Sequence, residues 1–221
     1  MKKNLWLMLL FVSMTATAQK DVTKFLGIPV DGTKSAMIQK LKAKGFLYNQ
    51  RLDCLTGEFN GSEVRVSVVT NNNKVWRIML MDMHPSNETD IKIRFNKLCQ
   101  QFKKNEKYRM LSLLPEIAEN EDVSYEINVN NKRYEAAFSQ QIDDKKSDEQ
   151  IHSELLKTYS EEQLSNPTEE EKEDIQRKTF EIIFDNWYKR AVWFMIDSEY
   201  GRYRILMYYD NGYNRSDGED L

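Results

Sequence analysis

Histidine, cysteine, proline and glycine are scarce in this chain of 221 residues, at two, two, four and eight copies. The histidines, His84 and His152, stand alone, with no second histidine at the spacing of a metal-ligand pair. The chain also lacks a G-x-S-x-G elbow, so a serine nucleophile has no strand-to-helix turn to present it. With so few glycines, no segment has the spacing of two glycines and Lys-Ser or Lys-Thr that a phosphate cradle needs. Beyond the start of the chain no apolar run approaches the about 20 residues that cross a hydrocarbon core, and no transmembrane segment is expected. These absences predict no metal, no cofactor and no identifiable catalytic residue.

Two cysteines allow one bridge, and Cys54 with Cys99 is the candidate disulfide. Cys99 also belongs to the series Ile91, Phe95, Leu98, Cys99 and Phe102, whose spacing places all five on one helical face. The alternative is therefore a buried thiol acting as a small apolar side chain. Neither cysteine has a histidine near it in sequence that would activate it as a nucleophile.

The first eighteen residues read as an export leader. Lys2 and Lys3 precede the apolar residues 5–12, and Ala16-Thr17-Ala18 supplies the small residues of a cleavage site, so the exported chain is expected to begin at Gln19. Export to the periplasm or the outside makes nucleic acid an unexpected partner. Charge agrees: the whole chain carries a formal −3, and residues 143–174 alone hold twelve acids against four lysines. The remainder is only mildly basic, without the strong field that draws a protein to nucleic acid or anionic lipid.

Periodicity outlines an α+β chain: antiparallel meanders with helices packed on one face, arranged as two similar units side by side or as one continuous sheet. Thr33 is placed to cap a helix with apolar Met37, Ile38 and Leu41, which Gly45 ends. Strands are predicted over residues 46–52, 54–59, 64–70 and 75–81, with Asn60-Gly61 as the hairpin turn and Asn71-Asn72-Asn73 as the next. Asn87 is placed to cap a second long helix. The alternation of Val123, Tyr125, Ile127 and Val129 predicts a strand, followed by another over residues 133–140. Ser147 and Gln150 have capping-box spacing, and Asn166-Pro167 is expected to open a further helix. A last hairpin covers residues 191–198 and 202–209. The organisation read from this is a leader (1–18), a helix-plus-meander part (19–142), an acidic and mobile insertion (143–174), and a C-terminal helix with an aromatic hairpin completing the sheet (175–221).

Residues 64–82 and 192–210 are hairpins of equal length, each closing on Asp, with Arg77-Ile78-Met79-Leu80-Met81-Asp82 matching Arg204-Ile205-Leu206-Met207-Tyr208-Tyr209-Asp210. Either the chain is duplicated or two ordinary hairpins look alike. Eleven of the chain's 25 aromatic residues fall within residues 180–213. In the last strand Tyr203, Ile205, Met207 and Tyr209 point one way and Arg202, Arg204, Leu206 and Tyr208 the other. One face has to pack on helices. The other, with Trp193, is a Tyr-Arg surface of the composition found at binding hot spots, or a two-sided core strand with Arg stems lying along rings.

The stretch Gly27-Ile28-Pro29-Val30-Asp31-Gly32-Thr33, with Met37-Ile38-Gln39-Lys40-Leu41 and Gly45-Phe46, resembles uncharacterised exported bacterial proteins. More loosely, over residues 27–82, it is similar to the helix-then-meander unit of the β-lactamase-inhibitor-protein-like and outer-membrane-assembly lipoprotein families, without the lipid-bearing cysteine of the latter. That resemblance implies a fold used by binding and inhibitory proteins. The expected function is a non-enzymatic binding or inhibitory module of the cell envelope, its partner a protein or glycan, with Trp193, Arg202, Arg204, Leu206 and Tyr208 as the contact residues. The alternative is a glycan- or peptide-acting hydrolase using two acids, which any acidic chain can supply.

Overall fold

The computed structural model describes residues 21–112 and 116–216. The expected leader and its cleavage site lie outside the described residues, as does the end of the tail. After a two-stranded ladder of β1 (Lys24–Phe25) and β2 (Ile28–Pro29) comes α1 (Lys34–Ala43), whose N-cap Thr33 accepts from the Ala36 amide. A meander follows: β3 (Leu47–Asn49), β4 (Cys54–Phe59), β5 (Ser62–Asn71) and β6 (Lys74–Asp82). Asn60 and Gly61 turn β4 into β5 with φ of 50° and 73°, the left-handed backbone such tight hairpins require.

The plan then repeats. Helix α2 (Glu88–Lys104), capped by Asn87, leads to β7 (Tyr108–Met110), α3 (Val123–Asn128) and β8 (Glu135–Gln140). After α4 (Asp144–Leu155), α5 (Glu161–Ser165) and α6 (Glu169–Lys189), the chain closes with β9 (Ala191–Glu199) and β10 (Arg202–Asp210). All eight strands from β3 onward form one antiparallel sheet in the order β3-β4-β5-β6-β10-β9-β8-β7. The order is a palindrome of two helix-plus-four-strand units, seamed by their last strands. The α+β reading and the pair of similar units are both present.

The main core lies between α1, α2 and one side of the sheet. Met37, Ile38 and Leu41 come from α1, and Ile91, Phe95, Leu98, Cys99 and Phe102 from α2. They meet Val64, Val66, Val68, Ile78, Leu80, Phe194, Ile205 and Met207. Gly57 belongs to this packing: a Cβ there would stand 2.7 Å from the Phe46 ring. Cys54 and Cys99 are both buried and unbridged, so the disulfide is not formed. Cys99 packs within the main core from α2, while Cys54 lies on β4, outside that cluster.

Three other expectations are corrected. Residues 123–129 are not a strand: Asp122 accepts from the Tyr125 amide and starts α3. Val123 and Ile127, one helical turn apart, pack on the core, while Tyr125 and Val129 are exposed, so period four overrides the apparent period two. The cap of α4 is Asp143, not Ser147, and α6 opens on a Thr168–Glu171 capping box two residues past Asn166. The later turns of α6 do not enter the main core. Ile182 joins Leu155 and Tyr159 in a satellite cluster with Ile151, Leu164 and Ile175, leaving Phe180, Phe184 and Tyr188 exposed. The acidic insertion thus folds as helices over a small core of its own. No helix among the described residues is long and apolar enough to cross a membrane.

Candidate functional site

Alternation divides each strand between the core side and the opposite side, and register carries that division across the sheet. On the side away from α1 and α2, one cross-strand row is Ser67, Met79, Tyr208, Trp193 and Ala137. The adjacent row is Arg65, Met81, Leu206, Met195 and Glu135. Beyond these rows Arg77 pairs with Asp210 and Arg204 with Asp197. The sequence-predicted Trp193, Arg204, Leu206 and Tyr208 are therefore brought together. Arg202 sits at the strand end on the same side, exposed, its Nη2 donating to the Pro85 carbonyl at 2.7 Å.

At the centre, the Trp193 and Tyr208 rings stack with centroids 4.1 Å apart. The Arg77 guanidinium lies over Tyr208 at 4.7 Å and within 5.4 Å of Trp193, with the Trp76 ring at 4.3 Å. Asp210 fixes this cation by two parallel hydrogen bonds, Nε to Oδ1 at 2.6 Å and Nη2 to Oδ2 at 2.7 Å, and also accepts from Trp193 Nε1 at 3.0 Å. A register shift between Val69 and Thr70 leaves Trp76 without an opposite number on β5, and this bulge sets its ring against Arg77. Tyr208 is only 9 % exposed under these neighbours. Its burial raises the phenol above the ordinary tyrosine range, against the pull of Arg77.

Arg204 is held more loosely. Its Nη2 donates to Glu199 Oε2 at 3.2 Å, its Nη1 reaches Met81 Sδ at 3.6 Å, and its Nε stands 3.8 Å from the Asp197 carboxylate without a hydrogen bond. Met79, Met81, Met195 and Leu206 fill the space between, half-buried. Arg133 Nη2 reaches Met195 Sδ at 3.9 Å on the far flank.

The likeness of the two hairpins has a structural meaning here. Arg77 and Arg204 both project to this open side, but β10 has one more residue between its Arg and its closing Asp. A slip of one residue reverses the face. Asp82 consequently points to the helices, where Arg94 of α2 grips it at 2.5 and 2.6 Å, and Asp210 points to the open side, where Arg77 grips it. Sequence reading missed Arg77, Met79, Met81 and Met195 as members of the site. Their alternation within β6 and β9 was visible, but the β6–β10 pairing that joins them to Tyr208 is not a local property.

Both histidines are exposed, His84 beside Glu63 at 2.7 Å and His152 beside Glu161 at 3.5 Å. Among the described residues no three His, Cys, Asp or Glu side chains stand together as a metal site would need. On the open face, rings and thioethers supply apolar area, and guanidinium groups already oriented by carboxylates supply direction. Comparison with protein-family models, curated proteins and solved structures finds no match to this chain.

Proposed function

We propose that this chain is an exported, non-enzymatic binding or inhibitory module that grips a protein partner with the open face of its sheet. The observation that carries the reading is the apolar centre of that face. An antiparallel sheet with one solvated side ordinarily shows polar residues there, yet here Trp193, Met79, Met81, Met195 and Leu206 lie half-buried between Arg77 and Arg204. Methionine adapts to irregular partner surfaces, and stacked aromatic rings give contact area with little entropy left to lose. The paired guanidinium groups add orientation without the cost of immobilising free side chains. Export is supported by the leader sequence, and the helix-plus-meander resemblance over residues 27–82 points the same way.

The test compares wild type with Arg204→Ala and Leu206→Asp as baits against envelope fractions and culture medium. A partner retained by wild type and lost by both variants, with unchanged melting temperature, supports the reading. Hot-spot truncations cost ~2 kcal/mol or more, so the partner's Kd should rise about 30-fold for Arg204→Ala. A partner held equally by all three moves recognition off this face.

A further inference from the structure

The opposite side of the molecule carries a cleft of about 920 Å³ between the β4–β5 turn, the end of α2, β7 and the chain leaving β8. We propose that this cleft binds an uncharged saccharide, independently of the sheet face. Its size falls within the range of small-molecule sites, which run from roughly 300 to 1,000 Å³.

The rim is built of carboxamides: Asn60, Gln101, Asn105, Gln140 and Gln141. Several of these make the walls rigid. Gln140 acts like a strand backbone toward Lys24, accepting from its amide at 2.6 Å and donating to its carbonyl at 3.1 Å. Gln141 Nε2 donates to the Glu106 carbonyl at 2.8 Å, and Asn60 Nδ2 to Gln101 Oε1 at 2.8 Å. A site whose walls are fixed before the ligand arrives loses little entropy on binding. What remains unspent is mixed in character. Among the described residues, Asn105 Nδ2 and the Lys107 ammonium have no acceptor and Gln141 Oε1 has no donor, since Asn105 uses only its Oδ1, for the Lys107 amide. A sugar hydroxyl both donates and accepts, so one kind of ligand group serves both the donors and the acceptor.

The floor is aromatic. Half-buried Phe59 and Tyr108 line it, backed by buried Phe102 and Tyr209. Tyr108 is held in place by the Phe102 ring at 4.7 Å, by Gln140 Nε2 at 3.3 Å and by the buried Tyr209 hydroxyl. Flat rings under a polar rim match the two surfaces of a pyranose, an apolar C–H face and an edge of hydroxyls. Charge is not concentrated: Lys146 is paired with Asp21 at 3.2 Å, and Lys24 and Lys107 share the cleft with Asp143.

The experiment is calorimetric titration of the purified protein with uncharged di- to tetrasaccharides of glucose, mannose, galactose and N-acetylglucosamine, each beside a phosphorylated or uronic-acid counterpart. Saturable binding of at least one uncharged sugar is expected. Asn105→Asp keeps the acceptor for the Lys107 amide and removes the unspent donor, so it should weaken that binding about tenfold at an unchanged melting temperature. Lys107→Ala gives a second reading of the same wall, and Arg204→Ala on the other face should leave sugar affinity as it was. The proposal is overturned if no uncharged sugar binds, if Asn105→Asp and Lys107→Ala both bind like wild type, or if only the charged counterparts bind.

Discussion

Single side chains settle several matters of stability. Burial pushes the Cys99 thiol up to about 12, and Cys54 is 3 % exposed on β4. Neither thiol should react with Ellman's reagent in the native protein at pH 8, and both should react in denaturant; one fast native thiol would show that a cysteine is accessible. The Asp210 carboxylate serves two donors, Arg77 and Trp193 Nε1. Asp210→Asn leaves the Arg77 charge without its counter-ion in a half-buried stack and should cost about 2 kcal/mol in urea unfolding, since hydrogen bonds to charged groups are worth ~1.5–3 kcal/mol. A shift in Trp193 emission should accompany it. Glu121 titrates below the ordinary carboxylate range because Lys132 and then Tyr134 donate to it. Its folded pKa being depressed, the stability it contributes is present above the ordinary value near ~4.3 and is lost as pH falls through the folded value. The melting temperature of Glu121→Gln should therefore fall less steeply than that of wild type on acidification from about pH 5 to 3.

At the level of elements, local signals were readable where one residue performs a local task. Thr33 and Asn87 cap their helices as expected, because a cap is a contact between residues three apart. The turn at Asn60-Gly61 was legible for the same reason. The errors arose where tertiary burial chose between two local patterns, as in α3, where Val123 and Ile127 find the core and Tyr125 does not. The site was half legible. Residues 202–208 declared an apolar and a mixed face, but nothing in residues 77–81 announces that β6 lies beside β10. For the acidic helices, the satellite core of Leu155, Tyr159 and Ile182 is small beside the main one. Hydrogen exchange should find residues 143–174 opening well before β5, whose Val64, Val66 and Val68 are buried in the main core. Equal protection in both places would show that the helices draw stability from more than those contacts.

On the scale of the whole molecule, the palindromic strand order joins the two four-stranded halves of the sheet through the β6–β10 ladder. Each unit by itself would expose the flank of a nine-residue strand. The seam closes both flanks at once and makes the apolar open face continuous across it, with Met79 and Met81 from one unit meeting Tyr208 and Leu206 from the other. Leu80, 2 % exposed on the core side of the seam, tests that dependence. Leu80→Ala should cost ~2–5 kcal/mol and lower the stability of both halves together, giving one urea transition by fluorescence and circular dichroism alike. Two separated transitions would mean that the units fold independently.

The same order decides what is left at the two margins. It places β3 and β7, each three residues long, at the outer edges and the nine- and ten-residue strands inside. Unpaired strand backbone is the template on which chains add to one another and aggregate, and short edge strands are a natural defence. An eight-stranded sheet built in this way offers a second chain only a few free amides and carbonyls on either side, so its broad face can stay apolar while its rims resist fibre growth.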